Sequence, residues 1–310
     1  MLWEDSFYES GEDAAKRIAS LVATADPEAV AALAIEARTA MKLRHVPLLL
    51  ARELARRKVN VAGLLPQIIK RPDELTEFLA IYWRDGKVPL AASVKRGLAA
   101  AFRKFDAYAL AKYNRADAIK LRDVLFLVHA KPEGEAQAAT WKQLVDGTLP
   151  TPDTWEVELS ASTDKLASWT RLLAEKKLGA LALLKNLRNM TEAKVPESLV
   201  RSALAECRTD WVLPFRFVSA ARHVPKLEDA LEAVMFRALA DAPKLKGKTA
   251  LVIDGSGSMF GAKISAKSEL DRFDAACALA ILVREVCEQV AVFVFSNNVY
   301  GVAPRRGFAL

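Results

Sequence analysis

The sequence predicts a mostly α-helical chain: an irregular solenoid of stacked helix pairs over residues 1–243, then the opening of an α/β domain over residues 244–310. Three observations carry this. Apolar residues recur at helical spacing from about 12 to 242, in segments bounded by Pro, Gly and Asp and without a fixed repeat length. After Pro243-Lys-Leu-Lys-Gly247 the pattern changes to a short β-branched run, Thr249–Ile253, suited to a buried parallel strand. That run breaks at Asp254-Gly-Ser-Gly-Ser258, ahead of a helical segment (271–287) and a second strand (290–295). A loop at the carboxyl end of a parallel strand is where doubly wound folds bind ligands.

In chain order, residues 13–24 place Ala15, Ile18, Ala19 and Val22 on one face. Asp26-Pro27 reads as an N-cap with proline at the first helical position, opening a helix to Met41. Helices follow at 45–57, 64–70, 74–82, 90–105, 107–113 and 117–128. The 90–105 segment turns Val94, Leu98, Ala101, Phe102 and Phe105 inward and leaves Lys95, Arg96, Arg103 and Lys104 towards water. Residues 131–159, with Lys-Pro-Glu-Gly and Gly-Thr-Leu-Pro-Thr-Pro-Asp-Thr-Trp, read as an irregular connection around one short helix at 140–145. Helices resume at 165–174, 178–190, 196–206, 214–221 and 225–240, the last three each starting near a proline.

Composition excludes several classes. A hydrophobic content of 52% with 27% charged residues is that of a folded chain, not a disordered one. No window approaches the ~18 uncharged apolar residues of a membrane-spanning helix. The opening Met-Leu-Trp-Glu-Asp-Ser lacks the basic flank of a signal peptide. Cys207, Cys277 and Cys287 are odd in number and widely spaced, which points to reduced core thiols in a cytosol and away from disulfides or structural zinc. Of the 45 Lys and Arg, eleven lie between Arg84 and Lys131, with only four of the 38 acids. That leaves 34 of each elsewhere, so one span carries the whole net charge of +7. A polyanion is the partner such a span suits.

Asp254, Ser256 and Ser258 alternate along an extended loop, which puts one carboxylate and two hydroxyls on one side. That oxygen set suits a hard cation such as Mg²⁺ that keeps some of its waters; the alternative is a plain glycine-rich turn. Gly-x-Ser-x-Gly fits neither serine, so this is not a hydrolase elbow.

Several stretches resemble one family. They are Ile35-Glu-Ala-Arg-Thr-Ala-Met-Lys-Leu-Arg-His45, residues 122–132 ending His129-Ala-Lys-Pro, and Pro152-Asp-Thr-Trp-Glu156. Leu178-Gly-Ala-Leu-Ala-Leu-Leu-Lys-Asn-Leu-Arg-Asn-Met190, Leu213-Pro-Phe-Arg-Phe217 and the Asp254–Ser258 loop complete the set. Together they resemble the TROVE-domain family, the Ro-like RNA-binding proteins. The resemblance implies a ring of HEAT-like helical repeats closed by a von Willebrand factor A-type domain. It implies small non-coding Y-type RNA on a basic outer surface and single-stranded ends of misfolded RNA in a central hole. It is also compatible with a protein partner such as a ribonuclease. No membrane role is implied, and the expected location is cytoplasmic.

Carried over residue by residue, the resemblance matches Lys112 and His129 to the family's Y-RNA contacts. Arg115, Lys120 and Arg122 are candidate phosphate contacts in the same span, with a helix cap or core role as the alternative for His129. Lys185 and Arg188 sit three apart on one helix beside Asn186 and Asn189, a polar face that could line an RNA passage; the asparagines could equally serve capping or helix-to-helix bonding. Arg216 and Arg222 are weaker candidates. His45 and His223 read as helix-end residues, and Trp141, Trp155, Trp169 and Trp211 as packing anchors. The family's metal site, of the MIDAS type, also takes a Thr and an Asp from later loops. The sequence stops at Leu310 before them, so the expectation is a fragment or truncated product with a half sheet, an unpaired edge and an uncovered apolar face. Besides a non-catalytic RNA binder, two readings stay open. One is a protein-interaction module whose Mg²⁺ holds a partner's carboxylate; the other is a metal-dependent hydrolase.

Overall fold

The structure, a computed structural model, describes residues 11–115, 117–210, 212–264 and 270–310. Trp211 lies outside the described residues. The chain divides into two compact units, one up to Asp153 and one from Thr154 on. The change from helices to α/β at about residue 244 falls inside the second.

The first unit consists of α1 (Gly11–Thr24), α2 (Pro27–Thr39), α3 (His45–Arg56), α4 (Leu65–Ile68), α5 (Asp73–Tyr82), α6 (Ala92–Phe102), α7 (Ala107–Tyr113), α8 (Leu121–Val128) and α9 (Glu135–Asp146). Leu48, Leu54, Leu65, Phe78, Leu98, Phe102 and Val124 are buried in one core, where α2 packs on α3, α3 on α5 and α6 on α8. The Asp26-Pro27 signal acts as expected: Asp26 Oδ2 accepts from the Ala29 N–H at 2.8 Å.

The Ile35–His45 stretch turns out to be a clamp on the start of α5. Arg38 Nη2 donates to Glu74 Oε1 at 2.6 Å and its Nε to the Ile68 carbonyl at 2.9 Å, with both side chains buried. Glu74 Oε2 accepts the Lys70 and Arg71 N–H groups at 2.7 and 3.2 Å. Arg44 reaches Asp73 at 2.8 Å and also Glu77, and His45, the first residue of α3, lies 3.7 Å from Glu77. Three acids in the first turns of α5 sit at the positive end of its dipole, which favours them there.

Basic side chains also close the carbonyl ends of neighbouring helices. Arg57 Nη1 donates to the Val22 and Ala25 carbonyls at 2.7 Å, and Lys104 Nζ to Ile69 O at 2.6 Å and to Pro66 O. In the second unit Arg237 Nη2 donates to Cys207 O at 2.9 Å. These bonds satisfy the acceptors that every helix end leaves open. Five non-glycine residues just past helix ends, Lys42, Lys58, His129, Lys176 and Lys194, take left-handed φ values between 52° and 62°.

The second unit holds α10 (Trp155–Ala161), α11 (Lys165–Ala174), α12 (Ala180–Glu192), α13 (Glu197–Glu206), α14 (Phe215–His223), α15 (Glu228–Leu239), β1 (Leu245–Asp254), α16 (Arg272–Glu285), β2 (Cys287–Phe295) and β3 (Val299–Gly301). The expected irregular connection over 131–159 needs correction, because it contains all of α9 and most of α10. Thr154, which looked like turn chemistry, is an N-cap whose hydroxyl accepts from the Val157 N–H at 3.3 Å, with Glu156 and Glu158 in the first turn. Trp155 then stacks on the buried Trp169 with ring centroids 6.4 Å apart, and Trp141 meets Phe102 edge-on at 5.2 Å. These three tryptophans are packing anchors.

The sheet order is β1-β2-β3, with β1 parallel to β2 in register from Thr249↔Val290 to Asp254↔Phe295, and β3 antiparallel to β2. Helix α16, capped by reciprocal bonds between Asp271 and Asp274, covers one sheet face through Ala280 against Ile253 and Val292. Its other side carries Ala278 and Ile281 into the helical core of the unit. The opposite face of β1 leaves Val252 58% exposed. The three cysteines are free thiols, but half-buried instead of core; burial pushes Cys207 and Cys277 above the ordinary thiol value. No helix among the described residues is long and apolar enough to cross a membrane.

Candidate functional site

The basic span occupies α6, α7, α8 and their connections. Lys87, Lys95, Arg96, Lys112, Arg115 and Lys120 have no carboxylate within 4 Å among the described residues. The span's acids are largely occupied as structural groups. Asp85 is bound by Arg52 and Arg56 at 2.6 and 2.7 Å, and those bonds hold its carboxyl below the ordinary range. Asp106 caps α7 through the Ala109 N–H at 2.7 Å, and Asp123 accepts the Lys120 N–H at 2.8 Å. Six bases of the span are thus left without a carboxylate partner among the described residues.

Not every base in the span is available. Lys104 is exposed as expected, but its ammonium is engaged on the carbonyls that end α4, and partial desolvation there, with Lys70 nearby, pushes it below the ordinary lysine value. Arg103 donates to the Lys131 carbonyl at 3.1 Å and lies 3.8 Å from Glu133.

Lys112 lies at the end of α7, Arg115 on the exposed connection, and Lys120 and Arg122 at the start of α8, which begins at Leu121 and not at Asp117. Arg122 is 4.0 Å from Asp123, the loosest of these ion pairs. His129 ends α8 in a left-handed conformation with an exposed side chain, so its backbone serves the helix cap while its imidazole faces solvent.

Aromatic rings are interleaved with these bases, a feature that composition and spacing did not bring out. Lys112 Nζ stands 5.9 Å from the Tyr108 and Tyr113 ring centroids, and Arg71 lies over the second ring of that pair, Tyr113, at 4.6 Å. Phe126 follows Arg122 by four residues on α8, so the two share a face, and it is 59% exposed. Apolar periodicity treats a phenylalanine as core; only the phase of the short α8 stripe (Leu121, Val124, Leu125, Val128) puts it outside.

In the second unit, Lys185, Arg188 and Asn189 of α12 meet Arg216, Ser219 and His223 of α14 around a cleft of about 320 Å³. Here the structure joins two candidates of the polar helix with Arg216. Arg222 points elsewhere: it forms a paired bond with Asp274 (2.7 Å for one arm) that fastens α14 to α16 and holds the Asp274 carboxyl below its ordinary range. It is a structural residue, not a companion of Arg216. The asparagines bond within their own helix, Asn186 Nδ2 to Ala182 O at 2.8 Å and Asn189 Nδ2 to Asn186 Oδ1 at 3.0 Å. No helix-to-helix bond is made by them among the described residues.

The Asp254–Ser258 loop is only partly extended, since Gly257–Met259 forms a 3₁₀ turn. The turn still brings Ser256 Oγ within 3.3 Å of Ser258 Oγ, a spacing compatible with two adjacent ligand positions on a hard cation. The Ser256 N–H donates to Asp254 Oδ1 at 2.8 Å, and this bond holds the Asp254 carboxyl below its ordinary value. Gly255 is required by close approach: a Cβ there would lie 2.8 Å from Val294 Cγ1 and 3.3 Å from Phe295 O. No group of three or more His, Cys, Asp or Glu side chains with metal-ligating geometry occurs among the described residues. The fit to Mg²⁺ therefore rests on one carboxylate and two hydroxyls.

Comparison with known proteins places these features in context. Residues 134–249 match the family model described as the TROVE domain. Those residues include α12 and α14 with their cleft, and begin just after the basic span. The chain is also similar in fold to the crystal structure of Deinococcus radiodurans RO (RSR) protein, with a TM-score of 0.63 and 21% identity over 90% of this chain and 69% of that one. No curated protein matches the chain.

Proposed function

We propose, for a chain that carries a TROVE domain over residues 134–249 and shares the fold of a Ro protein, that it is a non-catalytic RNA-binding protein. The observation that carries the reading is the α6–α8 surface, where lysines and arginines without carboxylate partners alternate with exposed rings. Phosphate contacts from Lys112, Arg115, Lys120 and Arg122 supply affinity that does not depend on sequence. His129 and the rings add hydrogen bonding and stacking to bases or sugars, the way proteins read RNA where its bases are unpaired. The ligand we favour is a small structured non-coding RNA of the Y type, with single-stranded ends of misfolded RNA received by the α12–α14 bases Lys185 and Arg188.

Filter binding with structured and single-stranded RNA at two salt concentrations tests this. Affinity that falls steeply with salt supports it, and salt-independent retention refutes it. Phe126→Ala adds a sharper check. A stacked base contributes about 1–3 kcal/mol, so the variant should bind RNA roughly 5- to 150-fold more weakly while melting at the wild-type temperature. Unchanged affinity would remove Phe126 from the interface.

A second reading rests on the adjoining Ser256 and Ser258 hydroxyls. Asp254, Ser256 and Ser258 would hold Mg²⁺, which when bound supplies a Lewis-acidic position for the carboxylate of a protein partner. The chain's own residues orient the loop: Gly255 lets it lie against β2, and the Ser256 N–H fixes the Asp254 carboxylate. Thermal melts with and without Mg²⁺ should show an upward shift in the wild type that is absent from Asp254→Ala. A wild type indifferent to Mg²⁺ ends this reading.

A further inference from the structure

We infer that the cleft between α12 and α14 is a phosphomonoester site, which takes the phosphate of one nucleotide either free or at the end of an RNA strand. Four features of the cleft lead there. Lys185, Arg188 and Arg216 converge on it from two helices, so three cations face one small volume. No carboxylate lines it. The volume of about 320 Å³ is at the small end of ligand pockets, suited to one nucleotide unit and not to a length of duplex. The wall also carries Leu181, Leu184 and Ala220, an apolar shelf beside the cations where a sugar or base can lie.

The charges are held ready for an anion. Arg216 rests over the Phe215 ring at 4.9 Å, which limits the swing of its guanidinium. Arg188 is 3.4 Å from Glu192, a pair in which both side chains are more than 60% exposed. Such solvent-screened pairs are weak, and a dianion bonded by several donors can displace them. A terminal phosphate carries about two charges near neutral pH, whereas an internal phosphodiester carries one, so three convergent cations favour the end of a strand over its middle. The strand arm of this inference rests on the RNA-binding reading; the free-nucleotide arm does not.

The test compares RNA 10-mers ending in a phosphate with the same 10-mers ending in a hydroxyl, phosphorylated at the 5′ or the 3′ end and labelled at the opposite one. Adenosine 5′-monophosphate and adenosine are titrated alongside by calorimetry, all against the full chain. The phosphorylated strand should bind about tenfold more tightly than its hydroxyl form. Lys185→Ala and Arg216→Ala, at exposed positions, should remove that difference while melting at the wild-type temperature. Adenosine monophosphate bound in preference to adenosine, with loss in the same variants, also supports the site and identifies free nucleotide as its source. Equal affinity in both pairs of ligands overturns the inference, as does a phosphate preference that survives in the Lys185→Ala/Arg216→Ala double variant. If no RNA binds but the monophosphate does, the RNA reading fails and the cleft assignment stands.

Discussion

Charge reversal at Lys112, Arg115 and Lys120 together is expected to weaken RNA binding by on the order of 100-fold at low salt, with little change in folding. All three lack carboxylate partners among the described residues, so replacement by Glu leaves no buried charge behind and breaks no ion pair. Surface exchanges of that kind usually change stability by no more than about 0.5 kcal/mol. The corresponding triple alanine variant should flatten the plot of log affinity against log salt by about three, one for each phosphate that is no longer neutralised. An unchanged slope would mean that these side chains do not touch phosphate, even if overall affinity declined. Lys104→Ala is the informative contrast. It removes a cation from the same span but one that caps α4, so it should lower the melting temperature and barely move RNA affinity.

Glu74→Ala is expected to cost about 3–5 kcal/mol, more than any other single exchange proposed for this chain. The side chain is fully buried, and its removal leaves Arg38 without its partner and the Lys70 and Arg71 N–H groups without their acceptor. Urea unfolding of the full chain measures it. A melting temperature lower by roughly 10 °C accompanies such a change in a unit of about 150 residues. Replacing both partners by apolar residues, Arg38→Met with Glu74→Leu, should recover a large part of it, because the penalty comes chiefly from the stranded charge. A single-variant cost below about 1 kcal/mol would show the clamp to be incidental.

Most helices were legible because their apolar stripes and caps are local. Asp26-Pro27 is complete within four residues and caps α2 as its residue types imply. The α9–α10 region was not, because Gly134 and Thr154 at its helix starts belong to residue types shared by turns and N-caps, and only the backbone path separates the two roles. Strand β3 has three residues, too few for any period to declare itself. In the candidate site, the charge surplus of the 84–131 span was visible as composition. What each base does was not, since the partners of Lys104 and Arg222 lie 35 and 52 residues away. The meeting of Lys185 and Arg188 with Arg216 likewise depends on α12 packing against α14, which no sequence interval encodes. Phe126 escaped notice for the opposite reason: its residue type argues for the interior and its phase against.

The left-handed residues past the helix ends amount to a reserve of untapped stability. A Cβ in that conformation costs on the order of 1 kcal/mol relative to glycine, and Lys42, Lys58, Lys176 and Lys194 all bear one. Glycine at those four positions offers a route to a sturdier chain without touching its core. At His129 the same exchange would sacrifice an imidazole in the proposed RNA face, so a thermostabilised variant for crystallisation should leave that junction alone.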